Sequence, residues 1–394
     1  MNAKQLRALI LVQNLPVPFD RRVWQEATTL ARAGWNVSVI CPSNEKYPEG
    51  TYFLEGVLIK RFKAVKEART PFGYVREYLQ SLSRMSRARQ NLRLEGKHDV
   101  LQFCNPPDLL AFLAVIPKFV DKTKIIFDQH DLGPELVKAK DFPLKWFFTF
   151  LAQAVERVAY LISDRVIATN ESYKSIAIKR GHIKEENVFV VRSAPCGNWA
   201  AGASSSEIWR RGHDFQIAYL GVIGSQEGLH FALEAIKTLR DVHAKDVLFT
   251  VVGSGTDLQR MVELSQQLGV QNNVHFLGRL PDSEMQQVLK SADVCINPDV
   301  FSELNDLSTM NKIVEYMALG APIVQFDLKE GRNTALSGSL YAEPNNSNDL
   351  AKKISDLLDD ESLRREMSNF SLIRFREQLS WEHQVDALLR AYRF

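Results

Sequence analysis

Short apolar runs bounded by Gly, Pro, Asn or Asp recur along this chain, separated by longer stretches with helical spacing. The runs read as strands buried on both faces. In the first half they are Arg7–Val12, Asn36–Cys41, Asp99–Phe103, Lys124–Asp128, Arg165–Ala168 and Asn187–Val191. In the second they are Gln216–Gly221, Leu248–Val252, Val274–Leu277, Val294–Asn297 and Pro322–Phe326. Strands alternating with helices predict an α/β protein, with parallel sheets covered by helices on both faces. The stretch SAPCGNWAAGASSSE is rich in Ala, Gly and Ser and reads as a linker. It divides the chain into domains 1–195 and 196–375, followed by a last helix over 376–394. No tandem repeat is visible, so the halves share architecture only.

Two helical stretches are unusual. Over Pro71–Glu95, Phe72, Val75, Leu79 and Leu82 recur at helical spacing, with Arg76, Arg84, Arg87 and Arg93 on other faces. The run KWFFTFLAQAVERVAYLI reads as a buried helix rather than a membrane foot, because Glu156 and Arg157 interrupt it.

Composition adds bounds. With 394 residues, 45% of them hydrophobic and 24% charged, the chain can bury two ordinary cores and is expected to be soluble. The apolar run Ala8–Val12 is too short for a signal-peptide core, and no uninterrupted apolar stretch approaches a membrane span. Cys41, Cys104, Cys196 and Cys295 lie far apart, which suits a reducing cytoplasm without disulfides or structural zinc. The net charge of +2 gives no reason to expect nucleic acid as a partner. Lys60–Lys97 nevertheless holds eleven Lys or Arg against three Glu. Its helix over 72–93 can therefore rest on an anionic membrane, or is a surface helix with a solvated basic side.

In open parallel sheets ligands sit beyond the carboxyl ends of the strands. The segment NPDVFSELNDLSTMNKIVEYMALGAP follows one such strand and enters a helix that ends at Gly320, ahead of Pro322. Lys312 falls in or near that helix's first turn, where the dipole disfavours a cation by about 0.3–1 kcal/mol. A bound phosphate would reverse the sign, and Glu315, one turn on, could accept hydroxyls of a ribose or sugar. The plainer alternative is an exposed Lys312–Glu315 pair. His130 follows the strand KIIFD between Asp128 and Asp131, where it faces a ligand or is tied by an Asp to hold the loop. Arg21 and Arg22 begin a helix after the first strand and could grip phosphate oxygens, or pair with Glu26. Gly221 and Gly224 allow close backbone approach, while Gly253 begins a weak G-x-G that is equally a tight strand-to-helix turn.

KIVEYMALGAPIV resembles the donor-binding region of glycosyltransferase family 4. PFDRRVWQEATTLARAGWNVSVICP, FDQHDLGPE, YLGVIGSQEGLHFALEAI, VVGSGTD, VHFLGRLPDSEM and LSWEHQVDALLRAY extend the likeness over nearly the whole chain, in order. The resemblance implies the GT-B fold, two doubly wound Rossmann-like domains facing across a cleft, with the last helix crossing back to the first domain. It implies a retaining glycosyltransferase that moves a sugar from a nucleotide-diphosphate sugar to a hydroxyl of a glycan, glycolipid or other acceptor by front-face displacement. The acceptor would bind mainly to the first domain and the donor mainly to the second. No cofactor or metal is expected, since no Asp-x-Asp motif is present. The alternatives are a sugar-nucleotide epimerase of the same fold and an inactive nucleotide-sugar-binding protein.

Carried onto this sequence, the resemblance places His130 against the donor sugar and assigns Lys312 and Asp306 to the catalytic set. Arg22, Gly221, Gly224, Gly253, Ser308, Thr309, Met310 and Glu315 join the donor site, and Arg279 and Leu280 lie near the base. Three departures stand out. Many members clamp the diphosphate with an Arg and a Lys after the first strand of the second domain, where this chain has Val222 and Gln226 or Glu227. The usual glycine pair after the first strand is replaced by Asp20, Arg21 and Arg22. Counting back from Glu315 to the family's other acid gives Leu307, so Asp306 takes that place, with Glu303 in reserve. Such an enzyme would be cytoplasmic, with membrane contact through the basic 72–93 helix as the open question.

Overall fold

The structure, a computed structural model, describes residues 5–65, 71–139 and 143–394. The side chains of Phe72 and Val75, on which the proposed lipid-facing stripe rested in part, lie outside the described residues. The chain forms two compact units, Met1–Arg192 with Gln384–Phe394, and Ser193–His383.

The first unit is built on an eight-stranded sheet of β1 (Arg7–Leu11), β2 (Asn36–Pro42), β3 (Gly50–Leu54), β4 (Val57–Phe62), β5 (Val100–Cys104), β6 (Lys124–Gln129), β7 (Arg165–Ala168) and β8 (Val188–Val190). The strand order is β3-β4-β2-β1-β5-β6-β7-β8, and only β3 runs antiparallel to its neighbour. Sequence reading missed β3 and β4. Their hairpin turns at Glu55 and Gly56, both with positive φ, so the backbone of a tight hairpin turn is reached without the usual Asn-Gly or Asp-Gly pair. The second unit holds a parallel sheet of β9 (Phe215–Leu220), β10 (Val247–Val252), β11 (Val274–Gly278), β12 (Val294–Asn297), β13 (Ile323–Phe326) and β14 (Ser339–Ala342), ordered β11-β10-β9-β12-β13-β14. Every residue of β10 is buried, as expected of a strand with helices on both faces. Ile217, Phe249, Val294 and Val324 from four of these strands share one apolar core.

Among the parallel strands the order reverses between β1 and β5 in one sheet and between β9 and β12 in the other, and the crevice at such a reversal is where ligands bind in this architecture. The tail joins the first unit at Gln384, not at 376. Residues before that point stay with the second unit, where Trp381 N donates to Pro195 O at 3.0 Å and Glu382 accepts from Gly197 N at 3.0 Å. Beyond Gln384, Tyr392 stacks edge-on against Trp35 and its hydroxyl donates to Gln102 at 2.5 Å.

Two helices depart from their expected faces. In Pro71–Leu94 the inward stripe is Ser81, Met85, Ala88, Arg89 and Leu92, while Leu79 is exposed. Arg84 is taken up by the carbonyls of Lys63 and Ala64, and Arg93 by Asp121. In Lys145–Ile162 the expectation of a buried helix is overturned. Trp146, Phe150 and Leu161 point outward, and Glu156, whose charge argued against a membrane-facing role, lies inside against Arg180 at 2.6 Å.

Candidate active site

In the first unit the loop after β6 carries His130. Asn105, immediately after β5, shapes that loop: its Oδ1 accepts from the backbone N–H of His130 at 2.7 Å and of Asp131 at 3.2 Å, and its Nδ2 donates to Asp131 O at 2.7 Å. His130 Nε2 lies 2.7 Å from Asp128 Oδ2, so Nδ1 is the ring atom left for a ligand. Burial alone would push the imidazole down. Asp128 outweighs it and holds the ring above its ordinary range. The ligand-facing and loop-tying readings of His130 are thus not exclusive, since one nitrogen is tied and the other is not.

Arg22 departs from its assigned role. Its guanidinium is buried, donates to Asp128 Oδ1 at 2.7 Å and to Val191 O at 2.7 Å, and lies 3.2 Å from Glu26. Two acids and a carbonyl thus meet this guanidinium within the first unit, in place of the phosphate its sequence position suggested. The alternative pairing with Glu26 is observed, and Asp128 is the stronger partner. Burial opposes the Asp128 carboxylate, but Arg22 and His130 hold it well below the usual carboxylate range. Glu26 fares otherwise: burial, reinforced by Asp128, pushes it up to about 8. Gln102 bridges the two acids, with Nε2 at 2.7 Å from Glu26 and 3.0 Å from Asp128. Cys104, Asp128 and His130 could also be read as metal ligands, because their donor atoms lie within 4.8 Å of one another. Arg22 already occupies Asp128, and burial pushes the Cys104 thiol well up, so this donor set suits a proton network rather than a cation.

In the second unit the loops after β9, β10 and β11 interlock. Gly221 N donates to Val252 O at 3.0 Å, Ile223 N to Ser254 O at 3.2 Å, and Gly253 N to Gly278 O at 2.8 Å. A Cβ on Gly253 would lie 1.8 Å from Gly221 O, at a φ of +140°, and one on Gly255 would lie 2.2 Å from Ile223 O. The turn reading of Gly253 is the one the structure supports: these glycines are required by backbone meeting backbone. Gly221 instead faces side chains: an added Cβ would meet the Tyr219 hydroxyl at 2.8 Å and Lys312 Cε at 3.2 Å. Gly224 is half-buried in the same loop, with Glu227 curling over it.

Lys312 is the second residue of the helix Asn311–Leu319, capped at its far end by Gly320 in the left-handed conformation. It is not an exposed partner of Glu315, which is half-buried one turn on. Its Nζ lies 2.8 Å from Asp299 Oδ1 and 4.9 Å over the ring of Tyr219. Burial works against the ammonium, Asp299 outweighs it, and the charge is held. Burial likewise pushes the Asp299 and Glu227 carboxyls up while Lys312 draws them back. Asn297 Oδ1 is buried without a hydrogen-bond partner beside the β9–β12 reversal, and the Asn297 side chain helps to hold the Asp299 carboxylate. Asp299, Asn297 and Tyr219 were not singled out from sequence, and Glu227 only as an occupant of the place where a clamp cation was expected. Position just after β12, in the crevice of the reversal, was the signal that could have found Asp299.

The loop ahead of Lys312 contains a short helix, Glu303–Leu307, capped by Ser302. Asp306 is half-buried, and its Oδ1 accepts from Lys329 N at 2.8 Å, at the first residue of the helix Lys329–Ala335. Glu303 is exposed on the same short helix as Asp306. Ser308 Oγ donates to Leu304 O at 2.6 Å, and Thr309 and Met310 are half-buried between the two helices, with Met310 at the N-cap. Arg279 is exposed and donates to Ser254 Oγ at 3.1 Å, whereas Leu280 packs into an apolar cluster. A pocket lined by Lys290, Ala318, Leu319 and Phe375 opens at the opposite end of the Lys312 helix and is separate from this constellation.

A sequence model of Glycosyltransferase Family 4 matches residues 20–194, and one of Glycosyl transferases group 1 matches residues 214–360. The chain belongs to this glycosyltransferase family. It is 30% identical over 146 residues to the 2-deoxystreptamine glucosyltransferase of Streptomyces kanamyceticus, covering 36% of each chain. It is 26% identical over 185 residues to the D-inositol 3-phosphate glycosyltransferase of Corynebacterium jeikeium, covering 45% of this chain and 42% of that one. The matched region thus spans less than half the length of these relatives. Among solved structures, sucrose-phosphate synthase from Thermosynechococcus elongatus superposes with a TM-score of 0.81 at 16% identity, covering 98% of both chains. Anabaena HepE in complex with UDP-glucose superposes at 0.72 and 15% identity, again over 98% of both. At such identities the likeness shows the fold, and for this family member it is the GT-B fold.

Proposed function

We propose that this family member transfers a sugar from a nucleotide-diphosphate sugar to a hydroxyl of a glycan, glycolipid or other acceptor, with retention at the anomeric carbon. The observation that carries this reading is the buried Lys312 at a helix start, at the sheet reversal, beside Asp299 and the orphaned Oδ1 of Asn297. The helix dipole and ammonium suit a diphosphate, and the orphaned acceptor suits a ligand hydroxyl. The names of the two glycosyltransferase relatives, and the UDP-glucose held by HepE, support the donor class.

In this reading the leaving diphosphate accepts the acceptor's proton on the face from which it departs, while the donor carbon passes through an oxocarbenium-like state. The C–O bond to phosphate breaks as the bond to the acceptor oxygen forms. Protein side chains then work by position and charge. His130 offers Nδ1 to a sugar hydroxyl while Asp128 fixes the ring. Arg279, exposed at the rim of the loops, is a further cation within the second unit.

A second reading, of a protein that binds nucleotide sugar without transfer, is favoured by one observation: Lys312 is flanked by two acids, Asp299 and Glu227, where a diphosphate clamp would carry two cations. The test is incubation with a panel of UDP-, GDP- and ADP-sugars, following thermal stability, release of nucleoside diphosphate, and the anomeric NMR signal of the product. Stabilisation with diphosphate release and a retained anomer is expected. Stabilisation alone would favour the binding protein, and a new sugar nucleotide formed without acceptor would favour the epimerase.

A further inference from the structure

The helix Lys145–Ile162 turns Trp146, Phe147, Phe150 and Leu151 outward in its first half and Leu161 near its end. Trp146 is 73% exposed, Phe150 66% and Leu161 71%. The helix Ala111–Ile116 packs beside it, and the turn Pro117–Asp121 is fastened to its end by Lys118, which donates to Ile162 O at 2.7 Å. That neighbour adds Ile116 and Phe119, also exposed. Scattered apolar residues on a surface need no explanation, but aromatic and aliphatic side chains grouped on adjoining elements do.

The charges of the same region are sorted. Glu135 and Glu156 turn inward onto Arg180, at 2.7 and 2.6 Å, and Asp121 turns onto Arg93 at 2.7 Å. Asp128 lies in the buried network already described. Lys122 and Arg157 are exposed, and Lys138, also exposed, lies 3.8 Å from Glu135. Among the described residues the apolar face is therefore accompanied by outward cations, while Asp121, Glu135 and Glu156 are engaged by arginines.

We infer that this face of the first unit docks on an anionic lipid surface. A second copy of the chain would be a poorer occupant, because a two-fold contact of the patch with itself would set cation against cation. Anionic headgroups complement those cations, and Trp146 and the phenylalanines suit the boundary between headgroups and acyl chains. Among the described residues no helix is long and apolar enough to cross a membrane, so the contact is with one leaflet. This inference does not depend on the chemistry proposed above.

The test is flotation of the full chain with vesicles of phosphatidylglycerol and phosphatidylcholine, against vesicles of phosphatidylcholine alone. The wild type should float with the anionic vesicles, and Trp146→Ser/Phe150→Ser should lower its partition by at least about tenfold, since two large apolar anchors are lost. Phe53→Ser, which removes a side chain of equal exposure from the edge strand β3, should leave flotation unchanged. As a second readout, lipids brominated on the acyl chains should quench part of the tryptophan fluorescence, and the conservative Trp146→Phe should abolish that component. A wild type that ignores anionic vesicles, a double variant that floats undiminished, or quenching that survives Trp146→Phe would overturn the inference. So would a wild-type dimer, seen by sedimentation velocity, that Trp146→Ser/Phe150→Ser dissociates while vesicle binding is absent.

Discussion

Replacing Lys312 by Ala removes an ammonium from a site 8% exposed, 2.8 Å from an Asp299 that is 1% exposed. At an effective dielectric of about 20, unit charges about 3 Å apart attract by roughly 5 kcal/mol, and desolvation of the two ions cancels most of that gain. The single variant keeps the buried carboxylate and loses its counterion, so its unfolding free energy should fall by about 3–5 kcal/mol. The loss has a predictable pH dependence. Without Lys312 the folded-state pKa of Asp299 moves further above its unfolded value, so the folded chain binds more protons than the unfolded one. Stability is then greatest at low pH and declines as pH rises through the folded-state pKa. Urea unfolding at acid and at neutral pH measures this, and adding Asp299→Asn to Lys312→Ala should recover much of the loss at neutral pH. Binding is read from the pair of variants that differ only in the ammonium. Against Asp299→Asn alone, the double variant should bind nucleoside diphosphate about 1.5–3 kcal/mol more weakly by titration calorimetry, and nucleoside equally. Equal diphosphate affinity in the two would make Lys312 a structural residue and send the search for the phosphate cation to Arg279. A Lys312→Ala protein as stable as wild type at neutral pH would refute the burial argument itself.

Other consequences are as direct. His130→Ala should lower turnover by about 100-fold or more, on the order of 3 kcal/mol of barrier, with nucleotide affinity unchanged, which steady-state kinetics and calorimetry together decide. Glu26, pushed up to about 8 by burial and Asp128, is protonated in the folded chain at pH values where the unfolded chain has lost its proton. Its contribution to stability is therefore full below its unfolded pKa and lost as pH rises toward 8, and Glu26→Gln should flatten the fall in melting temperature over that window. Gly253→Ala and Gly269→Ala both place a side chain at positive φ, but only the first drives it onto a carbonyl oxygen; nothing lies within 4 Å of the second. Gly269→Ala should cost about 1–2 kcal/mol in urea unfolding and Gly253→Ala clearly more, and equal costs would discount the loop-interlock argument.

His130 and Gly221 show what could be read one residue at a time. Each lies just beyond a strand's carboxyl end, and that position alone marks it as near a ligand crevice. The same reading located the helix that begins near Lys312 and ends at Gly320, because a cap, a dipole and a left-handed glycine are local properties of the backbone. It went astray wherever a charge had a remote partner. Arg22 looked available because Asp128, 106 positions away, brings its carboxylate alongside only through the sheet order β1-β5-β6. The bond from Lys329 N to one oxygen of Asp306 was likewise invisible, because Lys329 lies after the following strand.

Periodicity is a property of consecutive residues, so the sequence by itself determined the alternation of strand and helix, the α/β class and the ends of the parallel strands where chemistry gathers. It also carried enough ordered motifs to place the chain in its family. Which face of a helix turns outward is not a property of composition. Glu156 argued for a buried helix because a charge counts as polar wherever it stands, yet Arg180 accepts it inside and leaves the aromatic side chains to the surface. Only the tertiary structure decided that, as it decided that Lys312 and Arg22 are neutralised by Asp299 and Asp128. A charge's availability depends on which groups the fold sets within a few ångströms of it, and that distance is set by strand order and packing rather than by neighbours along the chain.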